Sequence, residues 1–350
     1  MFQPNFTISQ AILKNIGSIE ASKEVIENAP LIPAWEVDFK ENALIRTIHH
    51  GTHIEGNDLT LNQAKQVING QQITARERDV QEVINYRNVL KYIDKIGNTP
   101  EKYTETELKK LHWLTCGRLL ENDRCGTYRT VRVVVKDSGS GTITFNPPPP
   151  IEINPQIKEF FRWLNSEEAH QIHPVLRAGI VHYELVRIHP FLDGNGRVAR
   201  AIATLVLFRE NYNIKRFFSL EEHYDKDAAS YYRALQLVDK NQQDLTCWLE
   251  YFTEVLAIEL AQIKDKVKRL SLDLRIKQKA GQQIALSERQ IKLMEYLGEH
   301  KEMSMRQAIK LIPMVSDDTL LRDLKDLLKK GILVKRGRTK AAKYVLKEVA

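Results

Sequence analysis

The chain has 350 residues, more than one ordinary domain needs, so it can bury at least one full core with a second, smaller domain beside it. Hydrophobic and charged fractions of 43% and 28% are those of a soluble globular protein, not of a disordered or fibrous one. Nearly all of the formal +7 charge sits at one end: residues 285–350 hold 15 Lys and Arg against 9 Asp and Glu, which confines any suggestion of nucleic-acid binding to that piece.

The N-terminal Met1-Phe-Gln-Pro-Asn-Phe-Thr lacks the basic-then-apolar pattern of a secretory signal, and no apolar stretch reaches the length of a membrane span. The expected location is therefore the cytoplasm, with no membrane partner. Cys116, Cys125 and Cys247 stand at no metal-binding spacing and leave one thiol over in any disulfide scheme, so they read as packing residues in a reducing compartment.

Apolar residues at three- and four-residue spacing predict helices over 75–97, 155–165, 175–188, 197–210 and 246–276, and the fold class is expected to be mainly α. Glu55-Gly56 reads on its own as a helix end with a glycine cap. His49, His50 and His53 lie beside it without the carboxylate or cysteine spacing a metal would need, and read as helix or cap residues; His182 reads as a satisfied helix-face residue. The exception to the helical pattern is Tyr128 to Val135 and Thr142 to Phe145, two β-branched runs around a Gly/Ser turn that predict a hairpin, stopped by Pro147 to Pro150. Such a hairpin either covers the core or leaves an edge open to an incoming strand.

The densest chemistry lies in His189-Pro-Phe-Leu-Asp-Gly-Asn-Gly-Arg197, followed by Arg200. Asp193 to Gly196 form a loop whose glycines let backbone N–H groups converge on an anion, and Arg197 opens a helix whose N-terminal dipole favours the same charge. His189 supplies a titratable base beside that phosphate site, because an imidazole is largely neutral near neutral pH. Phe191 is expected to point inward and pin the loop, and Ala201 to Phe208 to form the buried stem of the helix.

These residues match His-Pro-Phe-x-Asp-Gly-Asn-Gly-Arg-x-x-Arg, and the chain resembles the Fic family on that motif. The resemblance implies a Fic-type helical bundle that transfers AMP from ATP to a hydroxyl side chain of a target protein, with ATP as substrate and Mg²⁺ as cofactor. It implies His189 as the base, Asp193 as the metal ligand, Gly194, Asn195 and Gly196 as the phosphate cradle, and Arg197 and Arg200 as ligands of the β- and γ-phosphates. The hairpin resembles the family's flap, which implies that Val133, Val134, Val135, Thr142 and Ile143 align the target segment. The region from Leu220 to Leu235 resembles the part that approaches the nucleotide base.

Leu31 to Trp35 and Ala43 to Leu59 resemble the N-terminal region of one class of the family, in which a helix carries a Ser/Thr-x-x-x-Glu-Gly/Asn motif. That resemblance implies Glu55 as an inhibitory glutamate paired with Arg200. Gly51 stands where the Ser or Thr belongs, with Thr52 one place later, so the inhibitory segment is expected to be less firmly anchored. Removal of AMP with Glu55 positioning a water is the alternative activity, and a nucleotide-sensing transcription regulator the alternative class. Phosphorylation, as in the Doc branch, is disfavoured because that branch carries lysine at the Gly196 position.

At the C-terminus, Ser287-Glu-Arg-Gln290 and Ser304-Met-Arg-Gln307 are capping boxes, Ser316 opens a third helix ending near Lys330 and Gly331, and Ile332 to Lys335 with Lys343 to Leu346 predict two strands. The arrangement resembles a winged helix-turn-helix domain, whose basic wing residues Lys335, Arg336, Arg338, Lys340 and Lys343 suit DNA phosphates. Acidic residues offset the basic ones on the third helix, so protein docking or homodimer formation stands beside DNA as its role. The expected organisation is an N-terminal region over 1–98, a catalytic core over 99–258, a helical connector over 259–284 and the winged helix over 285–350. The expected partners are ATP, a target protein or the chain itself as acceptor, and DNA or a second copy through 285–350.

Overall fold

The computed structural model describes residues 2–99, 102–136, 143–279, 286–337 and 342–347. They divide into two compact units, Met1–Ala29 with Trp35–Asp265, and Pro30–Ala34 with Lys266–Ala350. The expected N-terminal region and catalytic core thus share one unit.

The first unit is built from helices α1 (Gln10–Glu27), α2 (Pro33–His53), α3 (Leu61–Ile68), α4 (Glu77–Ile96), α5 (Glu105–Cys116), α6 (Pro150–Leu164), α7 (Glu167–Gln171), α8 (Pro174–Ile188), α9 (Asn195–Arg209), α10 (Leu220–Lys226) and α11 (Ala228–Lys240), together with most of α12 (Thr246–Lys279). Every helix expected from periodicity is present. Apolar spacing does not mark α1, α3, α5 or α7, although Thr104 and Glu107 form a reciprocal capping box at the start of α5. The connector expected over 259–284 is the continuation of α12 through Lys279.

Helices α8 and α9 pack most extensively against each other and form the axis of the unit. Ile180, Val181, Leu185 and Ile188 of α8 and Ala201, Ile202, Leu205 and Val206 of α9 are buried, as the apolar stem of α9 anticipates. Helices α4 and α5 flank α9, and α6 lies against α8. At the far end of α8 the Trp248 indole N–H donates to the Gly179 carbonyl at 2.7 Å, which relieves a buried donor while α12 lies close.

The hairpin is shorter than expected. Strand β1 (Val135–Lys136) pairs antiparallel with β2 (Ile143–Phe145), Val135 opposite Phe145 and Lys136 opposite Ile143, with an irregularity between the two pairs. Tyr128 to Val134 form no strand, because Arg129 turns its side chain onto the Val131 carbonyl at 3.0 Å and Tyr128 packs its ring against Phe191. Val133 and Val134 therefore lie outside the ladder, and Thr142 lies outside the described residues.

The second unit holds helices α13 (Glu288–His300), α14 (Met305–Leu311) and α15 (Asp317–Lys329) and a three-stranded antiparallel sheet ordered β3 (Glu302–Ser304), β5 (Lys343–Leu346), β4 (Leu333–Arg336). The two expected strands are β4 and β5; β3 was not anticipated, being three residues long and ending in the Ser304 cap of α14. Leu293, Leu297, Met303, Leu320, Leu324, Leu327 and Tyr344 form its core. Arg338 and Lys340 lie outside the described residues. No helix among the described residues is long and apolar enough to cross a membrane.

Phe252, fully buried, packs against the rings of His182 and Trp248 where α12 meets α8. Phe252→Ala should cost about 3–5 kcal/mol, the usual range for truncating a core phenylalanine. Urea unfolding of variant and parent checks it, and a loss below about 1 kcal/mol would show that this contact does not hold α12 in place.

Candidate active site

The turn between α8 and α9 carries the conspicuous motif, and its shape follows from local bonds. His189 caps α8 in a left-handed conformation, φ 50° and ψ 56°, with its N–H on the Leu185 carbonyl. Its Nδ1 lies 3.2 Å from the Val186 carbonyl oxygen. A carbonyl only accepts, so Nδ1 carries the proton and Nε2 keeps the free lone pair. Burial pushes the imidazole pKa down, favouring the neutral ring, against a smaller opposing effect of the Val186 bond.

Phe191 is fully buried, and its backbone N–H and carbonyl are both bonded at 2.9 Å by the Asn195 side chain. The carboxamide of Asn195 is thus spent on bracing the loop, and only its main chain remains for an anion. Gly194 adopts φ +77°, and a β-carbon there would stand 2.8 Å from the Cys116 sulfur, so both backbone and space demand glycine. Asp193 is partly exposed; its Oδ1 accepts from the Gly194 N–H at 2.6 Å, and its Oδ2 faces Arg78 at 3.3 Å. Arg197 is buried, with its terminal nitrogens 3.5 Å from Glu82 and from Asp193.

His112 braces the loop from behind, a role the sequence did not reveal. Its Nδ1 accepts from the Gly126 N–H at 2.8 Å, which leaves Nε2–H to donate to the Asp193 carbonyl at 3.0 Å. The ring stacks on Phe191 at 3.8 Å, and burial pushes its pKa down to about 4.

Glu55 lies two residues beyond the end of α2, in a turn closed by the Gly56 N–H on the His53 carbonyl. Its Oε1 accepts from an Arg200 terminal nitrogen at 2.7 Å, and the same nitrogen donates to the Gly51 carbonyl at 2.9 Å. A side chain at 196 would collide with the Glu55 carboxylate, which therefore sits against the first turn of α9 where the helix dipole favours negative charge. Burial works against the charge of Arg200, yet Glu55 and the Tyr231 and Tyr86 hydroxyls raise its pKa well above the usual value. Asn57 fixes the turn, donating to the Asp79 carbonyl at 3.0 Å and to Glu82 at 2.9 Å.

His189, Gly196, Arg200 and Glu55 line one cleft, with Val135 and Phe145 of the hairpin on one side and Tyr231, Tyr232 and Gln236 on another. Of the site residues read from the motif, His189, Gly196 and Arg200 line this cleft together with Glu55 and Val135, whereas Asp193, Gly194, Asn195 and Arg197 lie in the adjoining loop and first turn of α9 without lining it; Ile143 is exposed on its strand and does not line the cleft. Tyr224 is buried in a stack with Tyr231 at 4.7 Å, and His182 bonds the Tyr231 hydroxyl at 2.9 Å. His50 and His53 both bond Asp225, at 2.7 and 2.8 Å. Among the described residues no three metal-binding side chains cluster. The single carboxylate of Asp193 fits a hard cation such as Mg²⁺ that takes its other ligands from water and phosphate oxygens.

One mainly helical unit thus presents an imidazole, a glycine loop and two arginines around the N-terminus of α9. Residues 102–207 match the Fic/DOC family. The chain is 30% identical over 202 residues to a protein adenylyltransferase Fic of Nematostella vectensis, covering 55% of this chain and 45% of that protein. It is 32% identical over 179 residues to the protein of the same description in Drosophila grimshawi, covering 49% and 35%. It thus spans less than half the length of these relatives. The fold is that of a Fic family protein from Desulfovibrio desulfuricans, with a TM-score of 0.67 at 23% identity over 100% of this chain and 99% of that one.

Gly51 is explained by Tyr86: a β-carbon at 51 would stand 3.2 Å from Glu221 and closer still to the Tyr86 ring. The Thr52 hydroxyl is bonded to helix carbonyls at 3.0 Å and does not replace the missing group. Gly51→Ser should therefore destabilise the fold, by about 1–3 kcal/mol as overpacking does, instead of anchoring the segment better. A melting curve that rises with this substitution would contradict the packing described.

Proposed function

We propose that the chain transfers AMP from ATP to a hydroxyl side chain of a protein and that Glu55 holds this activity in check. The observation that carries the proposal is the 2.7 Å bond between Glu55 and Arg200 in the same cleft as His189. The match of residues 102–207 to the Fic/DOC family and the 30% identity over 202 residues to a protein adenylyltransferase Fic support the chemistry.

In this reading Nε2 of His189 accepts the proton of the target hydroxyl as its oxygen bonds to the α-phosphorus. The bond from that phosphorus to the bridging oxygen breaks, and pyrophosphate leaves. Proton acceptance at this position suits an imidazole kept neutral by burial. Asp193 would hold Mg²⁺, which when bound neutralises phosphate charge. The main chain of Gly194 to Gly196 and the Arg197 guanidinium would face the phosphates, as transfer of this kind rests on positioning and charge neutralisation. Arg200 would take the γ-phosphate once Glu55 releases it, and Tyr231 and Tyr232 would border the base. The hairpin of β1 and β2 would align the target segment by strand addition.

Glu55→Gly should raise transfer of label from α-labelled ATP by roughly 10- to 100-fold, the equivalent of a charge-assisted bond of about 1.5–3 kcal/mol. His189→Ala in that background should lower it by ~10²–10⁴-fold while ATP affinity stays near the parent value. If Glu55→Gly, folded by its melting curve, transfers no faster than the parent, the proposed check is wrong; loss of an AMP-removing activity would instead identify Glu55 as the residue that positions water.

A second reading concerns the C-terminal unit, which we propose binds duplex DNA as a winged helix. Two of the four acidic residues of α15 are turned onto α13: Asp323 accepts from Arg289 at 2.8 Å and Asp326 from Gln290 at 2.7 Å. Arg322, Lys325 and Lys329 remain exposed on one helical face, and Lys335 and Arg336 are exposed on β4. Asp317 and Asp318 stay in the first turn, where the dipole favours them. Fluorescence anisotropy of the full chain on duplex DNA should show salt-dependent binding. Each alanine at 322, 325 or 329 should reduce the salt slope by roughly 1. No binding at low salt would leave protein docking or self-association as the role of this unit.

A further inference from the structure

Arg129 is almost fully buried, and among the described residues it has no carboxylate partner. Its guanidinium is satisfied by three main-chain carbonyls instead: Nε donates to His189 at 2.8 Å, one terminal nitrogen to Val131 at 3.0 Å and the other to Pro148 at 2.6 Å. Its own backbone N–H donates to Pro190 at 2.9 Å. A buried cation without an anion is costly, and only the desolvation it suffers moves its pKa, downward. A neutral side chain would avoid that cost, so the arginine must supply something a neutral donor does not.

What it supplies is a rigid planar fork reaching three separate stretches of chain. Val131 lies on the way into the hairpin and Pro148 on the way out, while the third carbonyl belongs to the residue that carries the base. That residue needs external support, because a left-handed conformation is unfavourable for a non-glycine residue, and the more so before proline. Arg129 holds the carbonyls of both His189 and Pro190, and the Leu185 and Val186 carbonyls hold its other side.

We propose that Arg129 is a positioning residue that references the His189 imidazole and both stems of the hairpin to one guanidinium. A hydroxyl presented on the hairpin and the nitrogen that takes its proton are then set against each other by a single side chain. The proposal rests on the AMP-transfer reading for its consequence in catalysis, but its effect on His189 is independent of that reading. The charged groups acting on the imidazole are Arg129, which disfavours its protonation, and Glu55 and Asp193, which favour it; Arg187, Arg200 and Asp239 line the same cleft.

The test compares Arg129→Gln, which removes the charge, with Arg129→Lys, which keeps it but bonds from a single point, both in the full chain carrying Glu55→Gly. Two quantities are read: the NMR titration of the His189 ring, assigned by its absence in His189→Ala, and kcat and KM for transfer. Arg129→Gln should raise the His189 pKa and move the acid limb of the rate profile to higher pH, since a base must be neutral to act. Arg129→Lys should leave the titration in place. In both variants kcat should fall on the order of 10- to 100-fold, as displaced reacting groups cause, with KM for ATP within about twofold of the parent. A parental kcat in either variant, or an unmoved titration in Arg129→Gln, overturns the proposal. Should Arg129→Gln fail to fold, the kcat of Arg129→Lys decides. Should the Glu55→Gly chain transfer nothing, the AMP-transfer reading has failed, and the titration alone decides whether Arg129 governs His189.

Discussion

A guanidinium buried in the second turn of α9 has to be answered by negative charge, and much of the first unit is arranged around that requirement. Arg200 is nearly inaccessible to water, so leaving it without an anion would cost several kcal/mol. Glu55 answers it directly. Glu221, fully buried and with a raised pKa from that burial, stands behind as a second carboxylate, joined through the Tyr86 hydroxyl at 3.0 Å. Gly51 follows from this arrangement, because the Tyr86 ring occupies the space any larger residue would need. What looks in the sequence like a lost anchoring hydroxyl is, in the fold, room made for a ring that serves the same arginine, and the Gly51 carbonyl itself takes one of its N–H bonds.

The same economy governs the motif loop, where the residues that look most available are already committed. Asn195 uses its whole carboxamide on Phe191, Gly194 donates to Asp193, and the Asp193 carbonyl is held by His112. Such bonds leave the loop little freedom to rearrange when an anion arrives. Preorganised backbone dipoles are worth more than flexible ones, since no reorganisation is required at the moment of reaction.

How far this was legible in the sequence depends on distance along the chain. The motif from His189 to Arg200 is contiguous, so its chemistry could be read from residue types alone, and the long helices declared themselves by apolar spacing. The supports could not be read that way. Arg129, His112, Tyr86 and Glu221 act on the motif across tens of residues, and a lone Arg or His at such a distance carries no periodic signal. The hairpin was overestimated for a related reason: β-branched residues from Val131 to Val134 fit a strand, yet a side-chain donor captured the Val131 carbonyl a ladder would have used. Local propensity gave way to a tertiary bond. For β3 the signal was simply too short.

The C-terminal unit shows the converse, where residue counts misled and pairing corrects them. On α15 the acidic and basic side chains cancel in a formal sum, but the acids nearest the core bond to α13 or to the end of their own helix, while Arg322, Lys325 and Lys329 remain exposed. An incoming polyanion meets the exposed side chains most closely, since the field of a charge falls with distance and is weakened further by a partner already beside it. The helix therefore presents a positive face despite a neutral composition. The same reasoning discounts Lys343, which is exposed but paired with Glu302. Among the described residues, a basic surface in this unit is thus contributed by the outer face of α15 and by Lys335 and Arg336 of β4.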